Sequence, residues 1–196
     1  DGFILQGGLY SSNYEIEMAK RIIELDKPLI GICAGFNNIL RALGTDVIED
    51  KTKSHDIYDK NYRHEVTIIK GTKLYDLINK DKHSVNSIHT MIAPKENVED
   101  HAKISSISYD GLVESFELDN KKLVIGIKWH PELMIEDEFT KNLFKEFIEK
   151  CISEEKDLFE MVRLEEIDEL NACFENIKRV KIVATDGATN YMRECV

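Results

Sequence analysis

The sequence predicts an α/β protein built on a mainly parallel sheet between two layers of helices, with a section of antiparallel strands. Three observations carry this expectation. Residues 1–44 alternate short apolar runs with amphipathic stretches in the order strand, helix, strand, helix, the pattern of parallel βαβ units. The middle of the chain holds strand patterns joined by short turns, as antiparallel neighbours are. Helical spacing returns after residue 136. The 196 residues, 42% hydrophobic and 32% charged, suit one domain with a sizeable core and an appendage. A formal net charge of -11 argues against nucleic acid or an anionic membrane as partner, because phosphates are repelled.

Phe3-Ile4-Leu5 reads as a buried strand ending in Gly7-Gly8, where backbone N–H groups can approach a ligand closely. Ser11, Ser12 or Asn13 caps a helix with Ile16, Ala19, Ile22 and Ile23 on one face, stopped near Asp26-Lys27-Pro28. Pro28 to Ile32 is a second buried strand, and Phe36, Ile39, Leu40 and Leu43 then form a helical stripe closed by Gly44. In parallel sheets ligands gather at the carboxyl ends of the strands, where Gly7-Gly8 and Cys33 both fall.

Val47 to Tyr62 is polar and reads as a surface loop lining the site. His64 to Ile69 alternates as a half-exposed strand, and Gly71-Thr72 caps a short helix through Leu74, Leu77 and Ile78. Ser84 to His89, Ala102 to Ser108, Gly111 to Leu118 and Leu123 to His130 read as strands, with a turn at Tyr109-Asp110-Gly111. Glu136 to Lys150 is helical through Phe139, Leu143, Phe144, Phe147 and Ile148, and a further helical pattern runs from Glu154 to Ile177. Val180 to Ala184 is a strand, and Tyr191 to Val196 suits a final helical turn.

Cys33 carries the chemistry. It stands between Gly31 and Gly35, directly after a strand and before a helix, the cysteine form of a nucleophile elbow. The helix N-terminus favours thiolate over thiol, and the Ala34 N–H is placed to meet an oxyanion. On its own the motif also suits a buried cysteine in a strand-helix corner. A nucleophile needs a base, and His55, His64, His83, His89, His101 and His130 are the candidates. His130 closes an apolar strand and is followed by Pro131-Glu132, so His130 and Glu132 can face one site as base and orienting carboxylate. Cys33, Cys151, Cys173 and Cys195 are widely spaced and lack a zinc-binding pattern. No metal or other cofactor is expected. Reduced thiols, no signal peptide and no apolar run of membrane-spanning length make the cytoplasm the expected location.

In these blocks the chain resembles the class I glutamine amidotransferase-like superfamily, and within it the γ-glutamyl hydrolase branch, peptidase family C26. The resemblance rests on Asp1-Gly2…Gly7-Gly8, Gly31-Ile32-Cys33-Ala34-Gly35, Val85-Asn86-Ser87-Ile88-His89 and Gly126-Ile127-Lys128-Trp129-His130-Pro131-Glu132, with Asp110 to Glu114 fitting the strand before the last block. It implies a flavodoxin-like three-layer fold and a Cys33-His130-Glu132 triad. It also implies an oxyanion hole from the N–H groups of Ala34 and of Gly7 or Gly8, and a pocket lined by His89, Asn37 and Glu114. The implied reaction is thioester-forming hydrolysis of a small γ-glutamyl amide, glutamine included. The alternatives are a glutaminase component feeding ammonia to a synthetase partner and a non-catalytic binding module. Departures from the family pattern, at Ala34, Asn37-Asn38 and Thr90-Met91, fall around the pocket.

By the same resemblance, residues 1–150 form the catalytic domain without the family's usual first strand and helix, as in a fragment, a processed chain or a permuted one. Residues 151–196 form a helical extension whose strand completes the sheet, in a permuted chain or by exchange with a second copy; the alternative is an unrelated extension used for homodimer contacts.

Overall fold

The computed structural model describes residues 1–8, 11–59, 61–152 and 180–183. The chain forms β1 (Gly2–Leu5), α1 (Asn13–Glu24), β2 (Leu29–Ile32), α2 (Ala34–Ala42), β3 (Ile48–Glu49), β4 (His64–Ile68), α3 (Lys73–Ile78) and β5 (Lys82–Val85). It continues through β6 (Met91–Ile92), β7 (Lys103–Ser108), β8 (Val113–Glu117), β9 (Val124–Ile127), α4 (Glu138–Ile152) and β10 (Val180–Val183). The main sheet has the order β10-β1-β2-β9-β8-β7-β4-β5, and β3 pairs with β6 in a small separate sheet. From β10 to β9 the pairings are parallel. From β9 to β5 they are antiparallel.

The local chemistry of the first half explains its regularity. Ser12 caps α1 in a full capping box: its hydroxyl accepts from the Glu15 N–H, and the Glu15 side chain reaches back to the Ser12 N–H at 2.9 Å. Ala19, Ile22 and Ile23 then turn inward, as the helical spacing requires. β2 and β9 are buried along their whole length, which is why both read as continuous apolar runs rather than alternating ones.

Alternation along these strands divides the core into two layers. Leu29 and Val124 pack on one face with Ala19, Ile22, Phe36, Ile39 and Leu40 of α1 and α2. Ile30, Ile32, Ile125 and Ile127 point to the other face, against Leu74 and Ile78 of α3 and Phe139, Leu143 and Phe147 of α4. The fold is therefore a three-layer α/β/α arrangement with a mixed sheet. The carboxyl ends of β1, β2 and β9 lie side by side and place Gly7-Gly8, Cys33 and His130 along one edge.

Several expectations differ in detail. The stretch 47–62, read as a surface loop, contributes β3 and buries Asp50 and His55. The Asp50 carboxylate is satisfied within the stretch, accepting from the backbone N–H groups of Thr52 and His55. The run Ser84–His89 leaves the sheet after Val85, because Asn86 turns to hold the His130 backbone. The helix expected over 136–150 begins at Glu138, and the strand before His130 ends at Ile127. The expected helix at 154–177 and the turn at 191–196 lie outside the described residues, as do Cys173 and Cys195. Among the described residues, β10 lies parallel beside β1, with Ile182 opposite Ile4. Among them, too, no helix is long and apolar enough to cross a membrane.

Candidate active site

Cys33 is the first residue past β2, and its N–H donates to Ile127 O of the neighbouring β9 at 2.9 Å. Its backbone sits at φ 50°, ψ −98°, a conformation that costs a residue with a Cβ roughly 1–3 kcal/mol. The turn holds because α2 starts at once on the far side, at Ala34. Gly35 makes the closeness possible: a Cβ there would fall 2.0 Å from Leu5 O. The Cys33 side chain makes no capping bond to the helix, so the thiol is aimed away from α2, and Sγ lies 3.8 Å from Ile88 O. Cys33 is a free thiol.

His130 follows the end of β9 and is anchored by two backbone bonds to one side chain. Its N–H donates to Asn86 Oδ1 at 2.8 Å, and its carbonyl accepts from Asn86 Nδ2 at 2.7 Å. Pro131 opens a 3-10 turn, Pro131–Leu133, that swings Glu132 back toward the ring. The Nδ1–H of His130 donates to Glu132 Oε1 at 2.6 Å. That orients the ring, and Cys33 is its second hydrogen-bond partner. Gly7 is the floor under the imidazole, since a Cβ there would meet His130 Cε1 at 2.6 Å. Asn86 falls within one of the blocks that carry the resemblance, yet nothing in its pattern points to this anchoring task.

The charges of these groups reinforce one another. Burial alone raises the Cys33 pKa, but the hydrogen bond and charge of His130, with the nearby Lys128 ammonium, bring it below its ordinary value. Burial alone lowers the His130 pKa, yet the bonds to Cys33 and Glu132 push it up to about 10. Lys128, fully buried beneath the site, is itself drawn down by burial to about 8. Its Nζ donates to Asn37 Oδ1 at 2.6 Å and stands over the Phe36 ring at 4.9 Å. The arrangement can hold a thiolate beside an imidazolium, the resting pair of a cysteine nucleophile.

A cavity of about 400 Å³ opens above Cys33. Gly8, Ala34, Asn37, Arg41, Tyr58 and His89 are among its walls. Gly8 and Ala34 flank Cys33, and the Ala34 N–H belongs to the first turn of α2, which no helical carbonyl reaches. Asn37 and His89 line the cavity. Glu114 does not line it: the carboxylate is completely buried and faces His55 and His89. The pleat explains the difference, since every residue of β8 is covered by sheet neighbours or packed layers. Of the other histidines, His83 pairs with Asp137 at 3.0 Å, and His101 stands on the surface against Leu43 O.

A family model for Peptidase C26 matches residues 11–132, more than half of the chain. Protein NtpR of Enterococcus hirae is 30% identical over 158 residues, covering 75% of this chain and 65% of that protein. Gamma-glutamyl-gamma-aminobutyrate hydrolase PuuD of Escherichia coli is 28% identical over 138 residues, covering 63% of this chain and 54% of the relative. The chain thus spans about half to two thirds of the length of these curated relatives. Among solved structures, a putative GMP synthase protein from Thermoplasma acidophilum shares the fold, with a TM-score of 0.61 at 19% identity over 79% of this chain and 74% of that one. Family and relatives together point to an enzyme. The matched region runs from the cap of α1 through the elbow to Glu132, and on that ground the chain belongs to the Peptidase C26 family.

Proposed function

We propose that the protein hydrolyses the γ-glutamyl amide bond of a small substrate, glutamine or another γ-glutamyl amine, through Cys33, His130 and Glu132. The observation that supports it most is the linked chain of contacts Cys33–His130–Glu132 beside the cavity that Cys33 lines. The Cys33 thiolate attacks the γ-carbonyl carbon, and the resulting oxyanion is received by the Ala34 N–H and by that of Gly7 or Gly8. His130, protonated in the resting pair, gives its proton to the departing amine as the C–N bond breaks. Water then attacks the thioester with His130 as base, the C–S bond breaks, and glutamate leaves. Glu132 keeps the ring in the required tautomer throughout. Arg41, on the cavity wall, supplies positive charge for the substrate's α-carboxylate.

The test is labelling with 6-diazo-5-oxo-L-norleucine, a glutamine-like electrophile, followed by peptide mass mapping. One adduct on Cys33, suppressed by glutamine or a γ-glutamyl amine and absent from Cys33→Ser, is the expected result. No adduct at Cys33 would mean a binding module rather than a hydrolase. Asn86 offers a milder check. Asn86→Ala removes both backbone anchors of His130, and a misplacement of the ring by about 1 Å is expected to lower kcat up to about 100-fold. KM should stay nearly unchanged in steady-state assays, because Asn86 is not among the residues lining the cavity. Unaltered kcat would show that Asn86 does not set the position of His130.

A further inference from the structure

Beside the cavity, on the other side of His89, lies a buried polar cluster that the proposed hydrolysis does not use. His55, His89 and Glu114 are exposed by only 1%, 4% and 0%, and come from three separate parts of the chain. His55 Nδ1 and His89 Nε2 stand 3.5 Å and 3.7 Å from the same oxygen, Glu114 Oε1. Those distances are too long for hydrogen bonds. Both carboxylate oxygens of Glu114 are buried without any hydrogen-bond partner. A carboxylate in that state needs a compensating group.

The proton inventory shows what kind. The far nitrogen of each ring faces an acceptor that has no proton to give. His55 Nε2 lies 2.9 Å from Asp110 Oδ2, and His89 Nδ1 lies 3.0 Å from Met91 O. A carboxylate and a backbone carbonyl both accept, so each far nitrogen is the one placed to carry the N–H. The near nitrogens, His55 Nδ1 and His89 Nε2, are the ones turned toward Glu114. Ser87 Oγ, 3.2 Å from His55 Nδ1 and 3.4 Å from His89 Nε2, spends its own proton on His55 O at 2.9 Å. Two ring nitrogens, a hydroxyl oxygen and a carboxylate thus converge on one buried point.

We infer that His55, His89 and Glu114 bind a divalent transition metal ion of the zinc class. Two imidazoles and a carboxylate are a donor set zinc accepts. Zinc–ligand bonds of about 2.0–2.2 Å in a tetrahedron put neighbouring ligand atoms about 3.3–3.6 Å apart. The His55 span to Glu114 Oε1, 3.5 Å, falls in that range and the His89 span, 3.7 Å, lies just beyond it; all three ligand atoms lie within 4.8 Å of one another, so ring rotation closes the set. The far-side bonds are those of ligating histidines, with one N–H to a carboxylate and the other to a backbone carbonyl. The ion would tie the segment carrying His55, whose Tyr58 forms one cavity wall, to His89 on another wall and to β8 behind. Its role is to clip two walls of the pocket together. The inference stands apart from the hydrolysis proposed above, because none of the three ligands is assigned to the reacting atoms.

The full chain, prepared without a metal-affinity tag and stripped with a chelator, is to be titrated with zinc sulfate. Metal is counted by elemental analysis after gel filtration. One equivalent of zinc, a higher unfolding temperature in its presence, and the intense visible bands of tetrahedral cobalt when cobalt replaces it are expected. Cys33→Ser should retain the equivalent, and His55→Ala and Glu114→Gln should lose it. Should those buried variants fail to fold, Asp110→Asn carries the test. Its side chain is partly exposed, and losing the carboxylate behind His55 should weaken zinc binding about 10- to 100-fold. No zinc uptake by the unmodified chain, uptake lost in Cys33→Ser, or uptake unchanged in Asp110→Asn would each overturn the inference.

Discussion

His130→Ala is expected to lower hydrolysis of a γ-glutamyl amide by roughly four to six orders of magnitude, and Cys33→Ser by as much, because nucleophile and base act as one unit. The electrostatics make the loss steeper than removal of a proton carrier alone. Burial is the largest influence on the Cys33 thiol and acts to raise its pKa. Only the hydrogen bond and charge of His130, helped by Lys128, reverse it. Without the ring the burial wins, and the thiol stays protonated at neutral pH. The signs follow from the two shifts. Cys33 ionises below its ordinary 9.0, and His130 holds its proton from an ordinary 6.5 up to about 10. Alkylation of Cys33 by iodoacetamide should therefore rise through the lowered thiol value, reach a plateau, and stay high toward pH 10. Hydrolysis should fall again near pH 10, where the imidazolium loses the proton that the leaving amine requires. In His130→Ala the alkylation limb should move to strongly alkaline pH. An alkylation profile identical in the two proteins would refute the thiolate–imidazolium pair. The same pair contributes to folding: the His130 share is full below pH 6.5 and fades as pH rises toward 10.

The parts of this molecule legible in its sequence are those where one residue pattern has one physical solution. A run such as Leu29-Ile30-Gly31-Ile32, followed by glycine-flanked Cys33 and a helical stripe, folds as a fully buried strand and a tight elbow. Ser12 and Thr72 are readable as caps because their side chains act within one turn of chain. The capacity of Glu132 to reach His130 is also local, set two residues away through Pro131.

What stays hidden depends on distant pairings. Asn86 meets His130 across 44 positions, and no local period marks it. The motif around Glu114 puts it on the pocket wall, whereas β8 is covered on both faces and turns the carboxylate toward His55 and His89. Lys128 directly follows β9, and it is the distant Asn37 and the Phe36 face that hold it inside. His55 reads as part of a surface loop because polar residues surround it. Its burial arises only when that loop meets Ser87 and Asp110.

The contact between Gly35 and β1 gives the largest effect expected on folding. Gly35→Ala would place a methyl group 2.0 Å from Leu5 O, 2.7 Å from Leu5 C and 2.8 Å from Leu5 Cβ. The nearest of these is a backbone carbonyl in a strand whose Leu5 pairs with Gly31 of β2, so it cannot swing aside as a side chain would. The helix must retreat instead. Overpacking with one carbon typically costs about 1–3 kcal/mol, and against an immovable backbone the upper end is expected. A typical domain stability of about 5–15 kcal/mol makes that a large fraction of the whole. Retreat of α2 also carries the Ala34 N–H away from Cys33, so the variant should lose labelling of the thiol under conditions where it is still folded. Gly44→Ala separates this clash from the general cost of replacing glycine. Gly44 has φ +90° and nothing within 4 Å of an added Cβ, so its substitution should cost only about 1–2 kcal/mol of backbone strain and leave Cys33 labelling unchanged. Urea unfolding of both variants measures the difference. A midpoint for Gly35→Ala no lower than that of Gly44→Ala would mean that α2 does not rest on Leu5, and that the elbow is held by something other than this contact.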